Sequence, residues 1–402
     1  VSSKNFCAMS KTLKPQIRFK GYDGEWTTKS LSEPEFNIQA GGDVDKTLLH
    51  TSGEYPVIAN ALTNDGILGY YDEIYRIKAP AISVTGRGDV GIAIPRRINF
   101  TPVVRLLALT SPHDIDFLSC AINLHPTVLE STGVPQLTVP KLQSYSINFP
   151  EKKEQKEIGQ YFKLINTQIK EAEREVDRLE KMKIASLQKM FPRPDATAPE
   201  IRFAGFSEPW KESTFGEICS FSRGQGYTKS DLRKSGVPIF LYGRLYTSYS
   251  SYVKEVDTFS YMTSSAVKSK GSEVVMPSSG ETAEDIAVAS AILSPGIILG
   301  GGLNILNPNK NMDSVFLALM LTYGQPHYDV ANRAQGKSVV HIYNDDIKQT
   351  SLMYPSLDEQ RAIGEYFRNL DELIVAKRKS IVKLRNIKKA CLSKMFVNDT
   401  EL

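Results

Sequence analysis

Several short motifs carry the residue types of catalysis or nucleotide binding, and each fails on spacing. Gly336-Lys337-Ser338 matches the end of a phosphate-binding loop, but the earlier glycine such a loop needs is Ala331. Leu299-Gly300-Gly301-Gly302 lacks the G-x-G-x-x-G spacing of a dinucleotide turn and reads as a tight turn between strands. Asn307-Pro308-Asn309 is not the Asn/Asp-Pro-Pro-aromatic element that positions an amino group for methylation. Pro194-Asp195 with Glu200-Ile201-Arg202 outlines a nuclease motif, but has Arg where Lys belongs and sits in a proline-rich linker. His50, His113, His125, His327 and His341 show no ligand spacing. Cys7, Cys120, Cys219 and Cys391 lie about a hundred residues or more apart with no C-x-x-C pair, so neither a zinc site nor a disulfide framework is signalled. The residues give no ground for an enzyme and imply no cofactor.

What the side chains offer instead is binding. The second half of the chain has a basic stretch interleaved with aromatics: Arg223, Gln225, Tyr227 and Lys229, then Arg233 and Lys234, then Tyr242, Arg244, Tyr246, Tyr249, Tyr252 and Lys254. Comparable candidates in the first half are Asn60, Asn64, Arg76, Lys78, Arg87, Arg96 and Arg97, and Lys337 adds a basic group late in the chain. Arg and Lys neutralise phosphates, while Gln, Asn, Arg and Ser can read base edges. Taken singly, each is an ordinary solvated surface residue. A net charge of +4 and a pI near 8.6 permit a nucleic-acid partner without demonstrating one.

The elements that would position these residues begin with size. At about 150 residues per domain, 402 residues make two to three domains or one long one. A hydrophobic fraction of 41% supports sizeable cores and excludes a disordered chain. The most apolar stretch, Ala291 to Leu306, is broken by Ser294, Pro295, four glycines and Asn304, so no transmembrane helix and no membrane partner are expected. Val1-Ser2-Ser3-Lys4 lacks the apolar core of a signal peptide. With the cysteine usage, this points to a reducing, cytoplasmic setting.

The chain repeats itself. Pro15-Gln-Ile-Arg-Phe-Lys-Gly-Tyr22, followed by Trp26, returns as Pro199-Glu-Ile-Arg-Phe-Ala-Gly-Phe206, followed by Trp210, and these are the only two tryptophans. Pro150, Glu154-Gln155, Ile158-Gly159 and Tyr161-Phe162 match Pro355, Glu359-Gln360, Ile363-Gly364 and Tyr366-Phe367. That match continues without a gap to Lys189-Met190-Phe191 against Lys394-Met395-Phe396, about forty residues with about a third identical. A tandem duplication is the economical explanation. Between the motifs each copy has β-prone runs such as Tyr55–Ile58, Gly66–Tyr71, Pro238–Tyr242 and Gly296–Leu299, with an apolar helix over Ser314–Tyr323. These parts read as mixed α/β domains, and the two copies share little sequence within them.

The second part of each copy reads as a long helix. Ile158, Phe162, Ile165, Ile169, Ala172, Val176, Leu179, Lys183, Ser186 and Met190 recur in steps of four and three. Ile363, Phe367, Leu370, Ile374, Lys377, Ile381, Leu384, Lys388, Cys391 and Met395 keep the same register. This is a heptad seam, and shared pattern, length and register predict that the two helices pack on each other, antiparallel. The alternative is that each packs on its own domain. The expected architecture is two globular α/β domains separated by two long helices in an antiparallel coiled coil, with a pseudo-two-fold relation between the copies. The expected boundaries are 1–149, first globular domain; 150–191, first helix; 192–198, a linker whose prolines end that helix; 199–354, second globular domain; 355–396, second helix; 397–402, tail. Two diverged domains on a symmetric spacer suit a ligand of approximate two-fold symmetry, and duplex DNA is such a ligand.

The tail from Pro355 to Phe396, its central copy, the Gly336-Lys-Ser-Val-Val-His341-Ile approach with Asp346-Ile347, and both Pro-x-Ile-Arg-Phe openings resemble the specificity (S) subunits of Type I restriction-modification systems. The resemblance covers essentially the whole chain. It implies two target-recognition domains, each reading one half of a split, asymmetric site on double-stranded DNA. It implies helices that fix their separation and dock two methyltransferase (M) subunits, joined in the full complex by translocase-nuclease (R) subunits. Copy one departs from the pattern in Glu151-Lys-Lys-Glu154 and in Thr138-Val-Pro140, where copy two has Tyr343-Asn-Asp345. A coiled-coil scaffold whose globular ends bind proteins rather than DNA is the competing reading. A self-sufficient methyltransferase is disfavoured by the missing motifs.

Overall fold

The computed structural model describes residues 13–126, 135–193, 196–336 and 339–397. The chain divides into two compact units, one of residues 1–173 with 379–402 and one of residues 174–378.

Unit 1 is built on β1 (Asn37–Ala40), β2 (Tyr55–Ile58), β3 (Ala81–Thr85), β4 (Leu106–Thr110), α1 (Ile115–Leu124) and the start of the long helix α2 (Lys152–Lys189). An antiparallel sheet runs in the order β1, β4, β3 and Ala93–Arg96. Every residue of β3 is buried, because the strand is central and α1 lies over it and its neighbour. A second sheet pairs β2 antiparallel with Ile67–Tyr71 and parallel with Thr101–Pro102. The strand begins at Ile67 rather than Gly66, since Asn64, Asp65 and Gly66 all take left-handed φ and form the turn before it.

Unit 2 repeats the plan with β5 (Cys219–Arg223), β6 (Val237–Phe240), β7 (Glu273–Pro277), β8 (Leu303–Pro308), α3 (Ser314–Tyr323) and the start of α4 (Leu357–Met395). One sheet runs β5, β8, β7, Ser290–Ile292 and Tyr252–Val253, and a second runs Phe259–Ser260, β6, Pro295–Leu299 and Lys268–Lys270. Helix α3 is apolar on all sides and buried from Val315 to Thr322. Leu241 and Tyr242, read as strand from their β propensity, lie beyond the end of β6. Among the described residues, no helix is long and apolar enough to cross a membrane.

The matched motifs are where each long helix starts on its own domain. Arg18 grips Glu154 with Nε to Oε1 at 2.6 Å and Nη2 to Oε2 at 2.7 Å, and Arg202 repeats this on Glu359 at 2.9 and 2.7 Å. Both carboxylates are buried, and a bidentate cation compensates their lost hydration. Gln155 donates to the Pro150 carbonyl at 2.8 Å, and Gln360 to the Pro355 carbonyl at 2.9 Å. Gly159 and Gly364 let the helix backbone approach the N-caps of α1 and α3. A Cβ there would stand 2.0 Å from Asp114 Oδ1 or 3.1 Å from Asp313 Oδ1. Trp26 packs 5.8 Å from Phe117, and Trp210 5.8 Å from Phe316.

Within each unit the two long helices run antiparallel. In unit 1, Tyr161 Oη lies 3.2 Å from Cys391 Sγ, Phe162 packs 5.8 Å from Phe396, and Arg385 bonds Glu173 at 2.5 Å. In unit 2, Arg378 pairs with Glu180, Lys183 with Asp371 at 2.6 Å, and Phe191 packs 6.4 Å from Phe367. Residue numbers rise along one helix as they fall along the other. Ile158, Phe162, Ile165, Ile169 and Ile381 are buried in unit 1, and Val176, Leu179, Ile363, Phe367, Leu370 and Ile374 in unit 2. Leu384 is half-buried. Near the end of α2, Ser186 is half-buried, its hydroxyl 3.0 Å from that of Tyr366, and Leu187 is the buried neighbour. There the helix meets a domain core as well as its partner, so the apolar stripe widens beyond a strict heptad.

Candidate nucleic-acid interface

In unit 1 four loops meet at one edge of the sheets. Gly41 N, after β1, donates to Leu106 O at 2.7 Å, and Gly42 N to Pro102 O at 3.2 Å. Val103 N, in the loop before β4, donates to Ile58 O at 2.8 Å. Asn60, just after β2, ties the remaining ends: its Oδ1 accepts from Gly86 N at 2.8 Å and its Nδ2 donates to Val104 O at 3.1 Å. The approach is too close for side chains. A Cβ on Gly41 would sit 2.2 Å from Val103 O, and one on Gly86 2.1 Å from Arg105 O. Arg87 and Arg105 project from this frame, both exposed. Arg105 does so from left-handed backbone, with φ +69°.

Unit 2 builds the same frame from different residues. Gly224 N donates to Leu303 O at 3.0 Å, Gln225 N to Leu299 O at 3.3 Å, and Gly300 N to Phe240 O at 3.0 Å. Ser278 N donates to Gly302 O at 2.8 Å, and Gly301 N to Gly226 O at 2.7 Å. The Leu299–Gly302 segment is thus the turn between two strands that its sequence suggested. Around it stand exposed aromatics: Tyr242, Tyr246 with its hydroxyl donating to Ser279 O at 2.9 Å, and Tyr343 under the Arg223 guanidinium at 5.5 Å.

The sequence candidates divide by what already holds them. Arg97 donates from Nη2 to both carboxylate oxygens of Asp116, and Arg244 pairs with Asp257, whose carboxyl is held below its ordinary range by that contact. Arg76 donates to Asp43 O. Arg96 donates to Ser83 Oγ at 2.8 Å and Asp65 O at 3.0 Å, and burial lowers its pKa from the usual value. Asn64 lies in the left-handed turn before Ile67. Tyr227, at φ +54°, donates to Tyr261 O at 3.1 Å. Exposed side chains of Arg87, Arg223, Gln225 and Lys229 remain presented to solvent. Lys337 lies outside the described residues. The structure therefore brings Asn60 and Arg87 together in one frame, and Arg223, Gln225 and Tyr246 in the other. Arg105 was missed. It carries no local sequence signal, and its correspondence with Gly302 comes from the strand registers. Among the described residues, no group of three His, Cys, Asp or Glu could hold a metal ion.

Comparison with known proteins places the chain. The Type I restriction modification DNA specificity domain matches twice, over residues 24–180 and 207–385. A Mycoplasma pneumoniae protein, named as the C-terminus of a type I specificity subunit, is 30% identical over 91 residues, 22% of this chain and 63% of that one. The specificity subunit of the MjaVIII type I restriction enzyme from Methanocaldococcus jannaschii is 20% identical over 293 residues, 69% of this chain and 68% of that one. The chain thus spans about two thirds of the length of these relatives. The crystal structure of an S subunit of a Type I restriction-modification system from M. genitalium shares the fold. It has a TM-score of 0.66 and 18% identity, covering 96% of this chain and 100% of that one. With two matched regions spanning most of its length, each on its own globular unit and long helix, the chain belongs to the Type I restriction-modification DNA specificity family.

Proposed function

We propose that the chain is the non-catalytic subunit that gives a Type I restriction-modification complex its DNA sequence, acting in the cytoplasm and binding no cofactor itself. Each globular domain, 1–149 and 199–354, reads one half of a bipartite, asymmetric site through its loop frame. The observation that carries this is the repetition of the same hydrogen-bonded frame in both units with different exposed side chains. A shared scaffold with unlike reading surfaces is what two unlike half-sites require. Helices 150–191 and 355–396 set the unread gap, with half-site centres about one helical turn, about 10 bp, apart. Exposed apolar residues on the same helices, among them Leu164, Ile184, Val375 and Val382, suit docking of two methyltransferase subunits, to which the translocase-nuclease subunits add.

The test is a change of ruler. One heptad inserted into both helices adds about 10 Å at ~1.5 Å per residue, about three base pairs at ~3.4 Å each. The site selected by the complex should keep both half-sites and lengthen its gap. A changed half-site with an unchanged gap, or no sequence selection at all, would favour the protein-binding scaffold. Calorimetric titration of the chain alone with S-adenosylmethionine and with ATP should give no heat of binding. Micromolar binding of either would overturn the non-catalytic assignment.

A further inference from the structure

The two loop frames correspond position by position through their strand registers. Ala40 pairs with Leu107 and Gly41 N reaches Leu106 O; Arg223 pairs with Asn304 and Gly224 N reaches Leu303 O. Arg105 and Gly302 therefore hold the same position, each just before its strand and each left-handed, at φ +69° and +78°. On the facing side, Val103 N reaches Ile58 O and Gly300 N reaches Phe240 O, which puts Asn60 and Tyr242 at one position as well. The pair has exchanged bulk. Unit 1 has the small Asn60 with the long Arg105. Unit 2 has the large Tyr242 with a glycine, and a Cβ on that glycine would lie 2.7 Å from the Tyr242 ring. At this pair of facing positions unit 1 places its large side chain before the strand, and unit 2 places its own on the opposite side.

We propose that Arg105 and Tyr242 are the base-discriminating side chains of the two domains, an inference that rests on the DNA-reading function above. Left-handed backbone disfavours arginine, and such strain persists where function retains it. The Arg105 side chain is exposed and makes no hydrogen bond or ion pair with any described residue. It contrasts with Arg97 and Arg244, which are neutralised within their own domains. A free guanidinium on a rigid mount suits the bidentate contact to guanine O6 and N7 in the major groove. Tyr242, 41% exposed and braced edge-on by Tyr246 at 6.4 Å, offers a ring face to a base methyl or edge.

The experiment selects duplexes from a random library with the full chain assembled with methyltransferase subunits. Arg105→Gly adopts the backbone of its unit 2 counterpart without strain, so the variant should melt no lower than the parent. Its preference for guanine at one position of one half-site should fall on the order of 10- to 100-fold, with the other half-site untouched. Tyr242→Ala should relax one position of the other half-site, and Tyr242→Phe should restore it. An unchanged Arg105→Gly site overturns the proposal. So does uniform weakening on all sequences with a flatter salt dependence, which would mark a phosphate contact. If the parent assembly selects no sequence, the DNA-reading function itself fails, and that is seen before any variant is compared.

Discussion

Alanine at the twin helix glycines should have unequal consequences in the two units. Both glycines are inside long α-helices, where alanine gains about 1 kcal/mol over glycine. At Gly159 the new Cβ would stand 2.0 Å from Asp114 Oδ1 and 3.0 Å from Phe117 N. That oxygen caps α1, accepting from Asp116 N at 3.0 Å and Phe117 N at 2.9 Å, so it cannot swing away without loss. The lost cap costs about 1 kcal/mol, and overpacking adds about 1–3 kcal/mol. Gly159→Ala should therefore destabilise unit 1 by about 2 kcal/mol net. In a unit of about 200 residues that is a melting shift of about 4–8 °C downward. At Gly364 the nearest atom is 3.1 Å away and the next 3.4 Å, so a few tenths of an ångström of relaxation suffices. Gly364→Ala should range from neutral to about 1 kcal/mol more stable. Denaturant melts of the full chain, with hydrogen exchange followed amide by amide, separate the units. The amides of Asp116 and Phe117 should exchange faster in Gly159→Ala, while the amide of Phe316 is unchanged in Gly364→Ala. Equal losses in the two variants, or a Gly159→Ala chain of parental stability, would refute the steric reasoning.

Three further outcomes follow from the packing. Arg18→Met should cost about 3 kcal/mol by leaving the buried Glu154 carboxylate without its partner, and Arg18→Met with Glu154→Leu should recover most of it; chemical denaturation checks both. Ile374→Asp puts an unpaired charge in the buried seam and should cost on the order of 3 kcal/mol, read as a lower urea midpoint, whereas Val375→Asp on the exposed side should change little. The Glu35 carboxyl is held below its ordinary value first by the Lys29 ammonium at 2.5 Å and then by His113. Its folded pKa is thus below its unfolded one, so its stabilisation is complete above the usual carboxylate range of ~4 and is lost as pH falls through the folded value. Glu35→Gln should flatten the acid side of a melting-temperature profile, and an unaltered acid side would contradict the assignment.

The sequence by itself determined the duplication, the two long helices, their shared seam and the family. Each of these is a periodic or local signal: a heptad read every three to four residues, a repeated opening, a repeated Glu-Gln and Ile-Gly. The physical role of those repeats needed the tertiary structure. Nothing local says that Arg18 must reach Glu154 across 136 residues, or that Gly159 is small because Asp114 caps another helix beneath it. The candidate interface was less legible. Charge and aromaticity marked Arg87, Arg223 and Tyr246, but they also marked Arg97 and Arg244, which bind carboxylates of their own domains. Whether a cation is free is a property of its neighbours in space, which composition does not encode. Arg105 passed unnoticed because its distinguishing feature is a left-handed backbone angle imposed by the Asn60–Val104 and Gly41–Leu106 bonds. Only the folded frame makes that angle, and only the second frame, with a glycine in the same place, shows what the arginine displaces.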